Sequence, residues 1–107
     1  MNDKIKRILN KYFIIYENNY SNGLFYELES WTDKGVNMFI TLDSNKNIIE
    51  EFKDYIDFFD IDEEIEIHRQ NRDYKFNFTI RESLYDFENW LKKCKKIYKE
   101  LKKLQNK

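Results

Sequence analysis

The last quarter of the chain carries the pattern that most limits its fold. Thr79 and Glu82 stand three residues apart, as in a capping box that begins a helix. Apolar residues then recur at steps of four and three, the repeat of one helical face: Ile80, Leu84, Phe87, Leu91, Cys94, Tyr98 and Leu101. The chain has no proline to interrupt this stripe. The pattern predicts a helix of roughly 25 residues, with Trp90 and Ile97 widening its apolar side.

The first half of the chain indicates strands instead. Residues 24–31 and 36–42 alternate, and Gly35 in the connection supplies the left-handed conformation that closes a hairpin. Residues 12–16 are aromatic and β-branched, typical of a third strand, before a polar break at residues 17–23. Residues 5–12 have helical spacing behind possible caps at Asn2 and Asp3. Together these patterns predict an N-terminal helix and a three-stranded antiparallel sheet.

The alternation divides this sheet into two unlike faces. One is apolar: Leu24, Tyr26, Leu28, Val36, Met38, Ile40 and Leu42. The other is mixed: Phe25, Glu27, Glu29, Trp31, Asn37, Phe39 and Thr41. The mixed face is open to two interpretations, a solvated surface or a contact surface built on its aromatic residues.

The segment between sheet and C-terminal helix is strongly acidic. Apolar residues at 48, 49, 52, 56 and 59 predict an amphipathic helix with carboxylates on its other side. Residues 64–68 suit a helix or a strand, and residues 74–80 an extended arm or an edge strand. The whole chain, residues 1–107, is therefore expected to form one α+β domain, with the acidic and C-terminal helices on one sheet face. Its lysine-rich end, residues 99–107, is expected to project or fray.

Charge is separated along the chain although the formal net charge is only -1. Residues 50–66 hold nine carboxylates and one lysine, or minus eight, and residues 91–107 hold eight lysines and one glutamate, or plus seven. Such fields attract partners of opposite sign, or they neutralise each other within the fold. The acidic segment thus predicts either a solvated surface or a decoy for a groove that normally holds a nucleic-acid backbone.

Other classes have little support. Cys94 is the only cysteine, which excludes an internal disulfide, and no apolar stretch has the length of a signal peptide or a membrane span. A cytoplasmic protein with no membrane partner is expected.

Catalytic and metal sites are also poorly supported. Metal-ligand types occur at Asp60, Asp62, Glu63, Glu66 and His68, without a recognisable motif. Residues 43–54 begin like a calcium loop, but Ile48 stands where that loop needs glycine. No serine has a nucleophile elbow. We expect no enzymatic activity, no cofactor and no metal.

Residues 59–90 contain two distinctive stretches, Phe59-Asp60-Ile61-Asp62-Glu63-Glu64-Ile65 with His68-Arg69-Gln70, and Phe78-Thr79-Ile80-Arg81-Glu82-Ser83-Leu84 with Asp86, Phe87 and Trp90. With these stretches, the segment resembles a group of small uncharacterised proteins from bacteriophages and other mobile elements of low-GC bacteria. Small proteins of such origin include anti-CRISPR and anti-restriction inhibitors. The resemblance implies a phage inhibitor acting in the host bacterial cell on a host protein or nucleoprotein, such as a CRISPR effector.

Charge and resemblance together give the expected function. We expect a non-enzymatic, anti-CRISPR-like inhibitor that binds its partner through an acidic surface acting as a nucleic-acid mimic. The predicted partner-binding residues are Glu50, Glu51, Asp54, Asp57, Asp62, Glu63, Glu66, Trp31 and Phe39. The alternative is a regulatory or nucleic-acid-binding protein that uses the lysine-rich helix, although a sequence pI near 5.9 is low for that class.

Overall fold

This computed structural model describes residues 1–61 and 80–105, and the side chains within residues 1–57 and 84–105. The elements in chain order are α1 (Asp3–Asn10), β1 (Ile14–Tyr20), β2 (Gly23–Trp31), β3 (Asn37–Asp43), α2 (Ile48–Ile61) and α3 (Ile80–Gln105). The predicted α+β class is confirmed, including the N-terminal helix, the three-stranded sheet and the long last helix. The alternatives for residues 64–68 and 74–79 lie outside the described residues.

The strands form an antiparallel sheet in the order β1-β2-β3. Gly35 closes the β2–β3 hairpin with a φ of 88°, where its amide donates to the carbonyl of Thr32 at 3.0 Å. β1 is longer than predicted. It continues through Glu17 to Tyr20, which faces Gly23 across a two-residue turn. Pairing with β2 extends this strand through polar residues that local propensity alone marks as a break.

The apolar face of the sheet is buried under the helices, as predicted. Leu28 of β2 and Ile40 of β3 are opposite each other and fully buried. Phe52 of α2 packs edge-on to Phe13, with ring centroids 6.0 Å apart. The core residues of α3 are Phe87, Trp90, Leu91, Cys94, Ile97 and Leu101. They follow the predicted stripe together with the two residues expected to widen it.

Hydrogen bonds attach α3 to the β2–β3 hairpin. The Trp90 indole Nε1 donates to Ser30 Oγ at 2.9 Å, and the amide of Lys34 donates to Asp86 Oδ1 at 3.1 Å. Leu101 near the other end of α3 is fully buried, so the helix packs on the domain at least that far. In residues 1–61 and 80–105, no helix combines the length and apolar character that a bilayer crossing requires.

Candidate functional site

The acidic helix face is the part of α2 that carries Glu50, Glu51, Asp54 and Asp57. α2 begins at Ile48, where the side chain of Asn47 accepts a hydrogen bond from the amide of Glu50 at 3.1 Å. Its apolar residues, including Phe52 and Ile56, point into the core. The amphipathic pattern therefore turns Glu50, Asp54 and Asp57 to solvent, where all three are exposed.

The ion pairs of this face join residues close in sequence. Lys53 Nζ lies 2.6 Å from Asp57 Oδ2, one helical turn away, and Lys46 Nζ lies 3.6 Å from Glu51 Oε1. The hydrogen bond to Asp57 raises the pKa of Lys53. Among the described residues, Glu51 thus pairs with Lys46, just before α2, and Asp57 pairs with Lys53 within α2. Neither of these two ion pairs involves a lysine of α3.

Three predicted partner-binding residues, Asp62, Glu63 and Glu66, lie outside the described residues. Trp31 and Phe39 are described, and the structure places them away from the acidic helix face. Phe39 alternates with the buried Met38 and Ile40, which face the helices, so its own side chain points to the opposite side of the sheet. The nine predicted residues therefore include members of two separate surfaces.

The lysine face is a stripe of α3 residues at steps of four, three and four: Lys92, Lys96, Lys99 and Lys103. All four are exposed. Nearby cations have acidic neighbours, since Lys93 pairs with Asp33 at 2.7 Å and Lys11 pairs with Glu100 at 3.3 Å. The lysine face is consequently a second charged surface, of opposite sign to the acidic helix face.

The aromatic sheet face is the side of the sheet opposite the one on which the described helices pack. Its aromatic and aliphatic residues are Ile14, Tyr16, Tyr20, Phe25, Trp31 and Phe39, and its carboxylates are Glu27, Glu29 and Asp43, which pairs with Phe25 across the sheet. Trp31 is 48% exposed and Phe39 is 38% exposed. The sequence pattern identified the β2 and β3 residues of this face. It missed Tyr16, which lies in the predicted strand but whose face follows only from the β1–β2 register, and Tyr20, which lies in the segment predicted as a polar break.

Tyrosine hydroxyls hold Glu27 and Glu29 on the aromatic sheet face. Tyr16 donates to Glu29 Oε1 at 2.8 Å, and Tyr20 donates to Glu27 Oε1 at 2.7 Å. Donating to a carboxylate favours the neutral phenol, so each bond raises the pKa of its tyrosine. The sequence shows tyrosines on one face of β1 and glutamates on one face of β2. Which tyrosine meets which glutamate follows only from the β1–β2 register.

A cleft of about 280 Å³ lies where β2 extends beyond the end of β1. Trp31 and Trp90 line it with Lys11 and Lys93. Both lysines are engaged by Glu100 and Asp33, so a charged ligand entering the cleft has to displace an ion pair. The cleft therefore offers aromatic contact but little uncompensated charge.

The described residues show little that suits catalysis. No group of three or more His, Cys, Asp or Glu side chains within them is placed to hold a metal ion. Asp43, Glu51 and Lys53 imitate a nuclease motif that needs Glu51 and Lys53 on a strand. Both residues lie on the helix α2 instead. Cys94 is buried, and burial raises the pKa of its thiol to about 12, which disfavours a nucleophilic thiolate.

The chain matches no protein-family model, no curated protein and no solved structure.

Proposed function

We propose that the protein is a non-enzymatic inhibitor that binds a host nucleoprotein through the acidic helix face. The proposal joins the charge of this face to the resemblance of residues 59–90 to small uncharacterised proteins of phages and mobile elements, a source that includes anti-CRISPR inhibitors. One observation carries it: Glu50, Asp54 and Asp57 are exposed along one side of α2, on successive helical turns.

The spacing of these carboxylates suits a groove that holds a nucleic-acid backbone. A helix rises about 1.5 Å per residue, which separates Glu50 from Asp54 by about 6 Å and Asp54 from Asp57 by about 4.5 Å along the axis. A DNA strand carries a negative charge about every 3.4 Å. The sequence adds five carboxylates between residues 60 and 66, which raises the local charge further.

The local ion pairs leave the acidic helix face available to a partner. Asp57 retains 53% exposure of its side chain beside Lys53, while the Glu51 side chain is 19% exposed. Exposed pairs of this kind contribute at most about 1 kcal/mol and are screened by salt. An arginine-rich or lysine-rich groove therefore replaces Lys53 and Lys46 at low cost, with binding that weakens as salt rises.

The test compares two triple charge reversals that change net charge equally. One carries Glu50→Lys, Asp54→Lys and Asp57→Lys. The control carries Asp3→Lys, Glu17→Lys and Glu88→Lys, at exposed acidic positions elsewhere. Each protein is immobilised and exposed to lysate of a low-GC bacterium, and captured proteins are identified by mass spectrometry before and after washing with duplex DNA.

Wild type and control are expected to capture the same nucleic-acid-binding protein, which duplex DNA and salt release. The α2 reversal is expected to lose it while its circular dichroism remains that of the folded protein. Equal capture by the folded α2 reversal contradicts the proposal, and so does a captured protein that duplex DNA does not displace.

The lysine face supports a second candidate, direct binding of nucleic acid. Its four lysines extend over three turns of α3, and Lys95 and Lys102 beside them are also exposed. Fluorescence anisotropy with a labelled DNA duplex at physiological salt tests this function. Loss of binding on replacing Lys92, Lys95, Lys96 and Lys99 with glutamine favours it, whereas an absence of duplex binding by wild type eliminates it.

A further inference from the structure

The aromatic sheet face concentrates the exposed large hydrophobic residues of the described chain. The described residues include seven exposed large hydrophobic residues, and five of them are on this face: Ile14, Tyr16, Tyr20, Trp31 and Phe39. Large exposed apolar patches on a folded domain mark contact surfaces more often than single exposed residues do. The clustering of five such residues on one side of one sheet therefore indicates a contact surface.

Glu29 lies at the centre of these residues. It pairs across the sheet with Ile14 on one side and Phe39 on the other, and Trp31 follows it on the same face of β2. Its Oε1 accepts from Tyr16 at 2.8 Å and its Oε2 accepts from Asn37 Nδ2 at 3.1 Å. The carboxylate is thus held in position within a ring of apolar and aromatic side chains.

This centre has more hydrogen-bond acceptors than donors. A carboxylate offers about four acceptor sites, of which two are taken on Glu29. Asn37 Oδ1 beside it is buried and has no donor within the described residues. Glu27 repeats the arrangement, with Tyr20 as its donor at 2.7 Å. A ligand rich in N–H donors complements this surplus.

Charge decides among the possible occupants. The described strands place no lysine or arginine on the aromatic sheet face, so the phosphates of nucleic acid or of an anionic membrane meet the carboxylates of Glu27, Glu29 and Asp43 there. Stacking a second copy on the same face brings six such carboxylates together without a cation from these strands, which is costly. A cationic side chain gains charge-assisted hydrogen bonds and contacts with the aromatic rings.

We propose that the aromatic sheet face is a second binding site, which takes an extended protein segment with two arginines separated by one residue. Guanidinium suits the site because it is planar, carries five donors and stacks on aromatic rings. In the bound complex, one guanidinium donates to the open acceptor positions of Glu29 between Trp31 and Phe39. The second donates to Glu27 beside Tyr20 and Phe25, whose rings lie 5.7 Å apart between centroids.

The spacing of the two carboxylates sets the arginine spacing. Glu27 and Glu29 are two residues apart on one strand, or about 6.8 Å. Alternate residues of an extended peptide project to one side at the same interval, so Arg-x-Arg places both guanidinium groups over the two carboxylates. Arg-x-x-Arg sends its second arginine to the other side. This site is on the opposite side of the sheet from the acidic helix face and does not depend on it.

The experiment titrates ¹⁵N-labelled protein with capped Gly-Arg-Gly-Arg-Gly. The peptides for comparison are its citrulline counterpart, which is neutral, and a capped Gly-Arg-Gly-Gly-Arg-Gly. The two indole N–H resonances report separately, since Trp31 is on the site and Trp90 is buried against Ser30. The Trp31 resonance is expected to shift saturably with the first peptide. The Trp90 resonance is expected to stay in place, with little response to citrulline and a weaker one to the longer spacing.

Variants distinguish this site from the acidic helix face. Glu29→Gln is expected to weaken binding about tenfold, the change that about 1.4 kcal/mol produces, and Phe39→Ala is expected to weaken it as well. The matched control Glu50→Gln, on the other side of the sheet, is expected to bind as wild type does. Equal binding of the citrulline peptide, no Trp31 shift at millimolar peptide, or weakening by Glu50→Gln but not by Glu29→Gln overturns the proposal. Concentration-dependent dimerisation lost in Phe39→Ala assigns the face to a second copy instead and also overturns it.

Discussion

Replacing Leu101 with alanine tests how far along α3 the domain extends. The charge pattern predicts a lysine-rich end over residues 99–107 that projects or frays, yet Leu101 in this segment is 0% exposed. Leu104, one turn later, is only half-buried and lines a cleft formed with Asn2, Ile5 and Ile48. The two leucines share residue type and helix, so Leu104→Ala is a matched control.

The two substitutions differ in the surface and cavity they create. Truncating a fully buried leucine loses its transfer free energy and leaves a cavity, for a total of about 2 to 5 kcal/mol. The Leu104 side chain is already partly exposed and the cleft admits solvent, so the loss is smaller, about 1 kcal/mol. Leucine and alanine have similar helix propensities, which nearly cancel in the comparison.

Urea unfolding followed by far-ultraviolet circular dichroism measures both values. Leu101→Ala is expected to lower the free energy of unfolding by at least about 2 kcal/mol and the Tm by roughly 10 °C, with an unchanged urea m-value. Leu104→Ala is expected to lower the Tm by about 5 °C. If Leu101→Ala costs no more than Leu104→Ala, the end of α3 does not pack as the structure places it.

Two shorter predictions concern titration and reactivity. The pKa values of Tyr16 and Tyr20 are raised by their hydrogen bonds to Glu29 and Glu27, so these bonds stabilise the fold below the ordinary tyrosine pKa near 10 and are lost as pH rises through the raised values. Phenolate absorbance should therefore appear at lower pH in Glu29→Gln than in wild type, and unchanged titration contradicts the pairing. Cys94 is buried with its pKa raised to about 12, so Ellman's reagent should react with it only after unfolding, and rapid labelling of the native protein contradicts its burial.

Local patterns were sufficient for the elements whose stability is mostly local. The stripe and capping box of α3 predicted its start within one residue, and the Gly35 turn predicted the β2–β3 hairpin. The end of β1 was wrong because Glu17 and its asparagine neighbours are weak strand formers. Their backbone pairing with β2 depends on contacts that no single segment encodes.

The candidate sites likewise depend on how the helices and the sheet pack as layers, which no single segment encodes. Exposure of Glu50 and Asp54 follows from the helical period of α2, but the period does not say which side of the sheet the helix covers. Because α2 covers the apolar side of the sheet, Trp31 and Phe39 on the other side are separated from the acidic helix face. The bonds from Tyr16 to Glu29 and from Tyr20 to Glu27 likewise require the β1–β2 register before they can be foreseen.

The separation of the two acidic surfaces constrains how they act together. The acidic helix face is on the helical layer and Glu29 is on the opposite side of the sheet, with the core between them. Charges on sites this far apart and without shared partners contribute nearly additively to binding. A partner that covers one surface leaves the other open, because the two surfaces are on opposite sides of the domain. Two cationic elements, on one wrapping partner or on two partners, are therefore needed to occupy the whole acidic surface, and each should tolerate loss of the other.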